Sequence, residues 1–361
     1  MRVFDAVAHG WEVLSTLSGQ GQQALFESLV QPMLFQLGLA SYLEDAYEAT
    51  GWLLAGLAQI AVMLAVIGPL QRWRPAETLP TDPAERARRR AAVRVDVIYT
   101  LIDRLGLLRV VLFFAVDPLW NAAFGWLSVQ GVDGWDLDQW LAPAWPGVTD
   151  SALFGFLAYV VVLDFVNYVM HRLQHRWAWW WALHAVHHSQ RHMTMWTDSR
   201  NHLLDTLITS SVFVLVARVI GVPPGQFIAL VVLSRLVENL SHANLRLGFG
   251  WLGDRLLVGP RFHRLHHGMG IGHEGAVQGT LGGCNFAVLF PLWDLVLRTA
   301  RYGCEPGPTG IRDQLPAEGG RDYGRGFWAQ QGLALARRFG DRAAAANEAT
   351  MPSQRTEALR R

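Results

Sequence analysis

The chain has no lysine: all 31 of its basic side chains are arginine, set against 30 acids for a net charge of +1. Charged residues make up only 17% of the 361 positions, where a soluble domain carries about 25%. So even a balance singles out no acidic or basic partner. With arginine clustered only at 86–90, no footprint for DNA or RNA is present. Cysteine is nearly absent. Cys284 and Cys304 are the two present, too few for an iron–sulfur cluster, which takes about four thiolates, or for a disulfide framework. The opening MRVFDAVAHGWEVLS lacks the basic start, apolar run and small-residue cleavage site of a secretory signal, so no cleavable signal peptide is expected. No dinucleotide-binding fingerprint is read in the chain either.

Apolar side chains are plentiful: 51% of the sequence is hydrophobic and 16 residues are tryptophan. That exceeds the need of a soluble core, and aromatic rings favour membrane interfaces. A bilayer-spanning helix takes roughly 20 mostly apolar residues. Runs 52–70 and 152–170 qualify, as does the pair 203–221 and 226–240, joined by a tight VPPG connection at 222–225. Run 97–116 is the weakest, because Asp103, Arg104 and Arg109 crowd its first half, and it is expected to lie partly in the interface. Arginine sets the sides. Residues 71–94 carry seven and residues 110–171 none, and arginine-rich short connections stay cytoplasmic. The expected fold is all-α: a polytopic membrane helical bundle of four to five spans with a cytoplasmic histidine-rich cap for two metal ions. The five-span solution puts the N-terminus outside and the C-terminus inside. Residues 1–50 form a non-cytoplasmic or interfacial segment, 51–150 the first spans and their loops, 151–301 the catalytic part, and 302–361 a polar cytoplasmic tail with a short helix.

Thirteen histidines are distributed unevenly. HRLQH holds His171 and His175, HAVHH holds His184, His187 and His188, and HRLHH holds His263, His266 and His267, with His242 alone before the last. At this histidine frequency one His-x-x-His-His is expected about 0.02 times in such a chain, and two on the order of 10⁻⁴ times. On a helix, residues three and four apart share a face, so each cluster offers two or three imidazoles in one direction. The out-and-back hairpin 203–241 returns the third cluster to the side of the first two. Eight or nine imidazoles are too many for one zinc, which takes four ligands or fewer. Two six-coordinate ions would use most of them. Imidazole suits zinc, copper, iron and nickel. A di-iron centre is the preferred reading and zinc the alternative. Metal-bound imidazoles donate their other N–H to a carboxylate or carbonyl. Asp164, Asp205 and Asp294 are the candidate acceptors, Asp164 foremost, since an acid inside a span is costly without a role. Glu238, four residues before His242, and His202 are further candidates. His192 and His273 read as solvated loop residues.

HRLQH, HAVHH and HRLHH resemble the three histidine boxes of the fatty acid hydroxylase/sterol desaturase superfamily. Asp164 and Tyr168 before the first box, Ser189 after the second, Arg200 and His202, and His242-Ala-Asn244 fit the same pattern. So do GPRFHRLHH and the closing Asn285, Trp293, Asp294 and Thr299. The resemblance covers roughly 155–300. It departs at Leu203 and Asp205, where proline and glutamate are usual, at Phe286-Ala287, and at the glycine-rich insertion GMGIGHEGAVQGTLGG, a possible lid. The resemblance implies an integral-membrane, non-haem di-iron, O₂-dependent oxygenase. Such an enzyme hydroxylates or desaturates an unactivated C–H of a fatty acyl, sterol or alkyl-ether lipid. The nine box and lone histidines would be its ligands, with Asn285 among the residues around them. It further implies an inner-membrane location, an active site on the cytoplasmic face, a lipid substrate from the bilayer, and a separate electron donor: a ferredoxin, cytochrome or reductase. The competing readings are a membrane zinc enzyme acting by hydrolysis and a metal-binding membrane protein without redox chemistry.

Overall fold

The structure is a computed structural model that describes residues 2–131, 134–147, 151–303 and 307–350; Cys304 and the end of the tail lie outside these residues. Helix α1 (Arg2–Leu25) continues through a π-helical turn into α2 (Gln31–Gln36), and α3 (Leu43–Val62) continues likewise into α4 (Gly68–Trp73). Then follow α5 (Pro83–Arg104), α6 (Leu107–Ala115), α7 (Asp117–Val129), α8 (Leu137–Leu141) and α9 (Ala152–Arg176). The rest are α10 (Ala178–His188), α11 (Leu203–Val219), α12 (Pro224–His242), α13 (Gly250–Leu256), α14 (Pro260–His266), α15 (Leu292–Val296) and α16 (Phe327–Thr350). Among the described residues the β pairing amounts to two isolated bridges, Gly268 with Thr309 and Glu274 with Leu281. The fold is all-helical, as expected.

Two helical stretches are long and apolar enough to cross a membrane, Ala40–Trp73 and Ala152–Arg176. The hairpin members α11 and α12 have 17 and 19 residues, short of the roughly 20 that a perpendicular span needs. The run 97–116 is not one helix. It breaks at Leu105–Gly106, where Gly106 takes φ +76°, a left-handed conformation that glycine adopts without strain. The arginine-rich connection is half helical. Asp82 caps α5 by accepting from the backbone N–H of Ala84 and Glu85, both at 3.1 Å, and Pro83 occupies the first helical position, where its missing N–H costs nothing.

Helix α9 has two unlike faces. Phe156, Tyr159, Val160 and Leu163 are buried against Ala217 of α11, Leu230 and Val237 of α12, and Leu289. On the other side Leu157, Val161, Phe165 and Val169, each one helical turn apart, are 36–41% exposed. A helix apolar on its outward face is solvated poorly by water and well by lipid.

Three chain features position the histidines. Helix α9 ends at Trp177, whose extended φ −99°, ψ 117° turns the chain directly into α10. Helix α10 is clamped through Leu183 and Val186 to Val95 and Tyr99 of α5 and to Ala334 of α16. The α11–α12 hairpin turns at Gly221, φ +74°, where a Cβ would sit 2.3 Å from the Asp136 carboxylate. Pro224 then opens α12.

Candidate metal centre

Nine histidines, eight from α9, α10, α12 and α14 and His267 just past the end of α14, meet in one buried cluster. The ligand nitrogens of His171, His175, His184 and His188 all lie within 4.8 Å of one another, and so do those of His187, His242, His263 and His267. His188, His266 and His267 form an overlapping group. The two quartets do not follow the sequence boxes. Each His-x-x-His-His sends its first and last histidine, four apart on one helix face, to its own quartet and its middle one across. Thus His187 of the second box joins His263 and His267 of the third. His266 of the third lies 4.4 Å from His171 and 4.8 Å from both His175 and His188, ring to ring.

The hydrogen bonds fix which nitrogen faces inward. Nδ1 of His171 donates to Phe286 O (2.8 Å), of His175 to Gly282 O (3.2 Å), of His187 to Arg200 O (3.2 Å), of His242 to Glu238 O (2.7 Å) and of His266 to Cys284 O (2.7 Å). His184 Nδ1 donates to the Asp205 carboxylate at 3.1 Å. A carbonyl or carboxylate acceptor holds the proton on Nδ1, which leaves a bare lone pair on Nε2. His187 and His242 then oppose two lone pairs at 3.1 Å, a repulsive contact unless a cation lies between them. Two adjacent ligands of a six-coordinate ion, each about 2.1 Å from it, are about 3.0 Å apart. The Nε2 atoms of His171, His184, His266 and His267 are buried with no protein partner, which is costly unless something else satisfies them. Burial holds His266 down to about 3 and pushes His187, His188, His263 and His267 well below the ordinary histidine value. Burial thus favours the neutral form of these five, the form that binds metal. An all-imidazole donor set fits transition ions such as iron or zinc.

The carboxylates divide differently from expectation. Asp205 acts on an imidazole, and Trp180 Nε1 (2.6 Å) and Gln174 Nε2 (2.8 Å) brace it. Asp164 touches no histidine. Its oxygens accept from the backbone N–H of Leu289 (2.9 Å) and Phe290 (3.1 Å) and from Trp293 Nε1 (2.9 Å). Asp294 similarly takes Phe286 N, Ala287 N and the Thr299 hydroxyl. Both acids buttress segment 285–290, whose Phe286 carbonyl orients His171. A carboxylate two turns below His171 meets free backbone N–H groups before it can reach a ring. Asn285, in the left-handed region at φ +59°, locks the same segment by donating to Phe262 O and Arg301 O and accepting from Arg301 N. Glu238 spends its carboxylate on Arg235 at 3.2 Å, and only its backbone carbonyl serves His242. His202 is not a ligand candidate: its Nδ1 caps α11 by accepting from Leu204 N, and its Nε2 donates to Gln331 O.

The fatty acid hydroxylase family model matches residues 156–299, a span that contains all nine histidines. Over this part the chain is similar to the fatty acid hydroxylase family. An ornithine lipid hydroxylase of Rhizobium tropici is 28% identical over 46% of this chain and 47% of its own length. Alkylglycerol monooxygenases of Caenorhabditis elegans and Danio rerio are 27% and 31% identical, over 38% and 37% of this chain and 25% and 28% of their own lengths. The chain thus spans less than half the length of the curated relatives it matches. No solved structure matches it.

Within and around the matched region, several features escape a reading of motifs. Arg200 is a clamp under the second box. It donates to Val186 O (3.0 Å), to buried Asp96 of α5 (2.8 Å) and to the Ser189 hydroxyl (3.2 Å), while its carbonyl takes His187. Asp96 gave a weak signal, a lone acid amid valines. The glycine-rich insertion roofs the cluster and supplies the Gly282 acceptor of His175. Its packing is close: a Cβ on Gly272 would sit 1.5 Å from His266 O, and Glu274 pins it to Arg312 at 2.8 and 3.0 Å. His273, expected in solvent, is buried there, stacked on Trp181 at 5.5 Å, and burial pushes it down to about 4. The same insertion carries the bare Gly-x-Gly-x-x-Gly spacing at Gly270–Gly275, contrary to the sequence reading. Turns and a β-bridge surround it, not the strand and helix that a dinucleotide cradle requires.

Proposed function

We propose that the chain is an integral-membrane di-iron oxygenase that hydroxylates an unactivated C–H of a lipid with O₂. One observation carries this: two quartets of imidazoles, five of the eight with the inward lone pair fixed by an outer hydrogen bond, in a region that matches the fatty acid hydroxylase family. His171, His175, His184 and His188, with His266 beside them, would hold one iron, and His187, His242, His263 and His267 the other. When bound, the irons supply the activation of O₂ for which non-haem centres with open positions are suited. The protein holds six of the imidazoles deprotonated at Nε2 through their Nδ1 hydrogen bonds, buries all nine, and offers the substrate a cavity of about 180 Å³ that reaches His171, His184, His187, His242 and His263. The relatives are named for lipid hydroxylation and monooxygenation, which favours hydroxylation over desaturation.

From Ala152 to Met170 helix α9 rises about 28 Å, close to the roughly 30 Å hydrocarbon thickness. That length supports placing His171 and His175 at the membrane surface, and the arginine pattern favours the cytoplasmic face of an inner membrane. The chain's cysteines cannot form an electron-transfer cluster, so a separate ferredoxin, cytochrome or reductase is the expected donor. The test is metal analysis of the purified chain in nanodiscs, followed by O₂ uptake with Fe(II) and a chemical reductant. Two irons per chain and lipid-dependent O₂ uptake are expected. Two tightly held zincs, with no uptake after iron reconstitution, would overturn the reading in favour of hydrolysis.

A further inference from the structure

The cavity beside the histidines does not look like a channel for a hydrocarbon. At about 180 Å³ it is smaller than the roughly 300–1,000 Å³ that a whole drug-sized ligand occupies, so it takes a fragment of a lipid. Its walls between α6, α9, α11 and α12 include Asn167, Thr206, Thr209 and Ser234, and the Ser234 hydroxyl is buried without a partner. Charged groups also line it. Arg235 is tied to Glu238 and, at 3.7 Å, to Asp198, and Asp198 and Asp103 are both held by Arg104. Arg109 differs from them. It lines the same cavity, yet among the described residues its guanidinium makes no hydrogen bond or ion pair: the Trp52 ring centroid lies 3.3 Å from Cζ, and Asp103, already held by Arg104, attracts it only at longer range. The indole covers one face of the guanidinium and fixes its plane, which leaves the in-plane N–H fork free. Such a fork matches the two oxygens of a carboxylate or phosphate, and a charge on an apolar helix is rarely kept without a use.

We infer that this cavity is a headgroup site: Arg109 receives an anionic group, carboxylate or phosphate, of the lipid, while the acyl chains stay in the bilayer. This rests on the metal centre being the oxidising site. The substrate is then an anionic or zwitterionic lipid, and the oxidised carbon lies within a few bonds of the polar group, not in mid-chain.

Binding to the full chain in nanodiscs of neutral lipid tests the inference with three radiolabelled probes: N-palmitoylglycine, its methyl ester, and 1-palmitoylglycerol 3-phosphate. One or both anionic probes should bind wild-type protein roughly tenfold or more tighter than the ester, and the tighter one identifies the headgroup chemistry. Arg109→Gln should erase that preference and leave ester binding unchanged, while Arg109→Lys, which keeps charge without the fork, should retain part of it. Equal affinity of wild-type protein for ester and both anions would overturn the inference, as would an equal loss for all three probes in Arg109→Gln. The wild-type comparison decides even if a variant fails to fold. A chain that holds two irons and consumes O₂ without preferring anions refutes the headgroup site alone. A chain that takes no iron refutes the metal reading, and the probe comparison still judges the cavity.

Discussion

Asp205→Asn changes one atom and is expected to disable one metal site. Asp205 is 1% exposed. Its Oδ1 accepts from Trp180 Nε1 and Gln174 Nε2, and its Oδ2 from His184 Nδ1. Asparagine keeps one carbonyl oxygen, which the two donors at Oδ1 will claim. Its NH₂ then faces His184 Nδ1. Two donors cannot share that contact, so the imidazole must turn over its tautomer and put the proton on Nε2, the nitrogen that faces His171, His175 and His188. A protonated Nε2 cannot ligate. Loss of such a supporting partner costs about 10–100-fold in metal affinity, or roughly 1.4–2.8 kcal/mol. The assay is anaerobic chelator competition on nanodisc-embedded protein, with iron counted by mass spectrometry. One iron should weaken by that amount. The other should weaken less, because no histidine of the second quartet touches Asp205. If both irons weaken equally, or neither does in protein that still folds, the tautomer argument is wrong.

Four further outcomes are expected. His187→Ala and His266→Ala should each lower bound iron below two per chain; wild-type content in both would remove these residues from the site. His202→Ala should leave iron content intact but lower thermal stability by roughly 1 kcal/mol, the value of a helix cap, as read by a shifted unfolding midpoint. Arg200→Lys loses a fork that serves three acceptors at once and should weaken iron at the His187 quartet about tenfold or more by the same chelator titration, and unchanged affinity would show that the clamp is dispensable. Gly272→Ala must displace the roof from His266 O and should cost about 1–3 kcal/mol together with iron, whereas Gly10→Ala, with open space around it, should do neither.

The histidine constellation was legible because spacing alone places residues three and four apart on one helix face, and eight of the thirteen histidines obey it, His242 standing alone. How they are shared between two ions was not legible. That depends on how α10 docks against α14, and nothing in HAVHH shows that His187 will face His263 and not His184's partners. The role of Asp164 was misjudged for a related reason. Helical periodicity gives its direction, but the backbone N–H groups that intercept it belong to a segment 125 residues later in the chain. The span count came from apolar runs, and Gly106 breaks one of them in a way that mean hydropathy does not register. The insertion at 268–283 read as a covering loop; that its carbonyl oxygens orient the His175 ring is tertiary information, invisible in a glycine-rich string.

The crossing of the middle histidines has a consequence for biosynthesis. The second quartet needs His187 from the second box as well as the third, His266 returns to lie beside the first, and His171 and His267 are 96 residues apart. At about 5–20 residues per second, the first box waits roughly 5–20 s for the last. During that interval the nascent chain displays partial imidazole sets that copper or zinc would bind more tightly than iron. The second quartet is complete only when α14 arrives, and His266 and the roof then close over the first. On the proposed di-iron reading, iron would have to compete with those ions for the first quartet before the third box covers it.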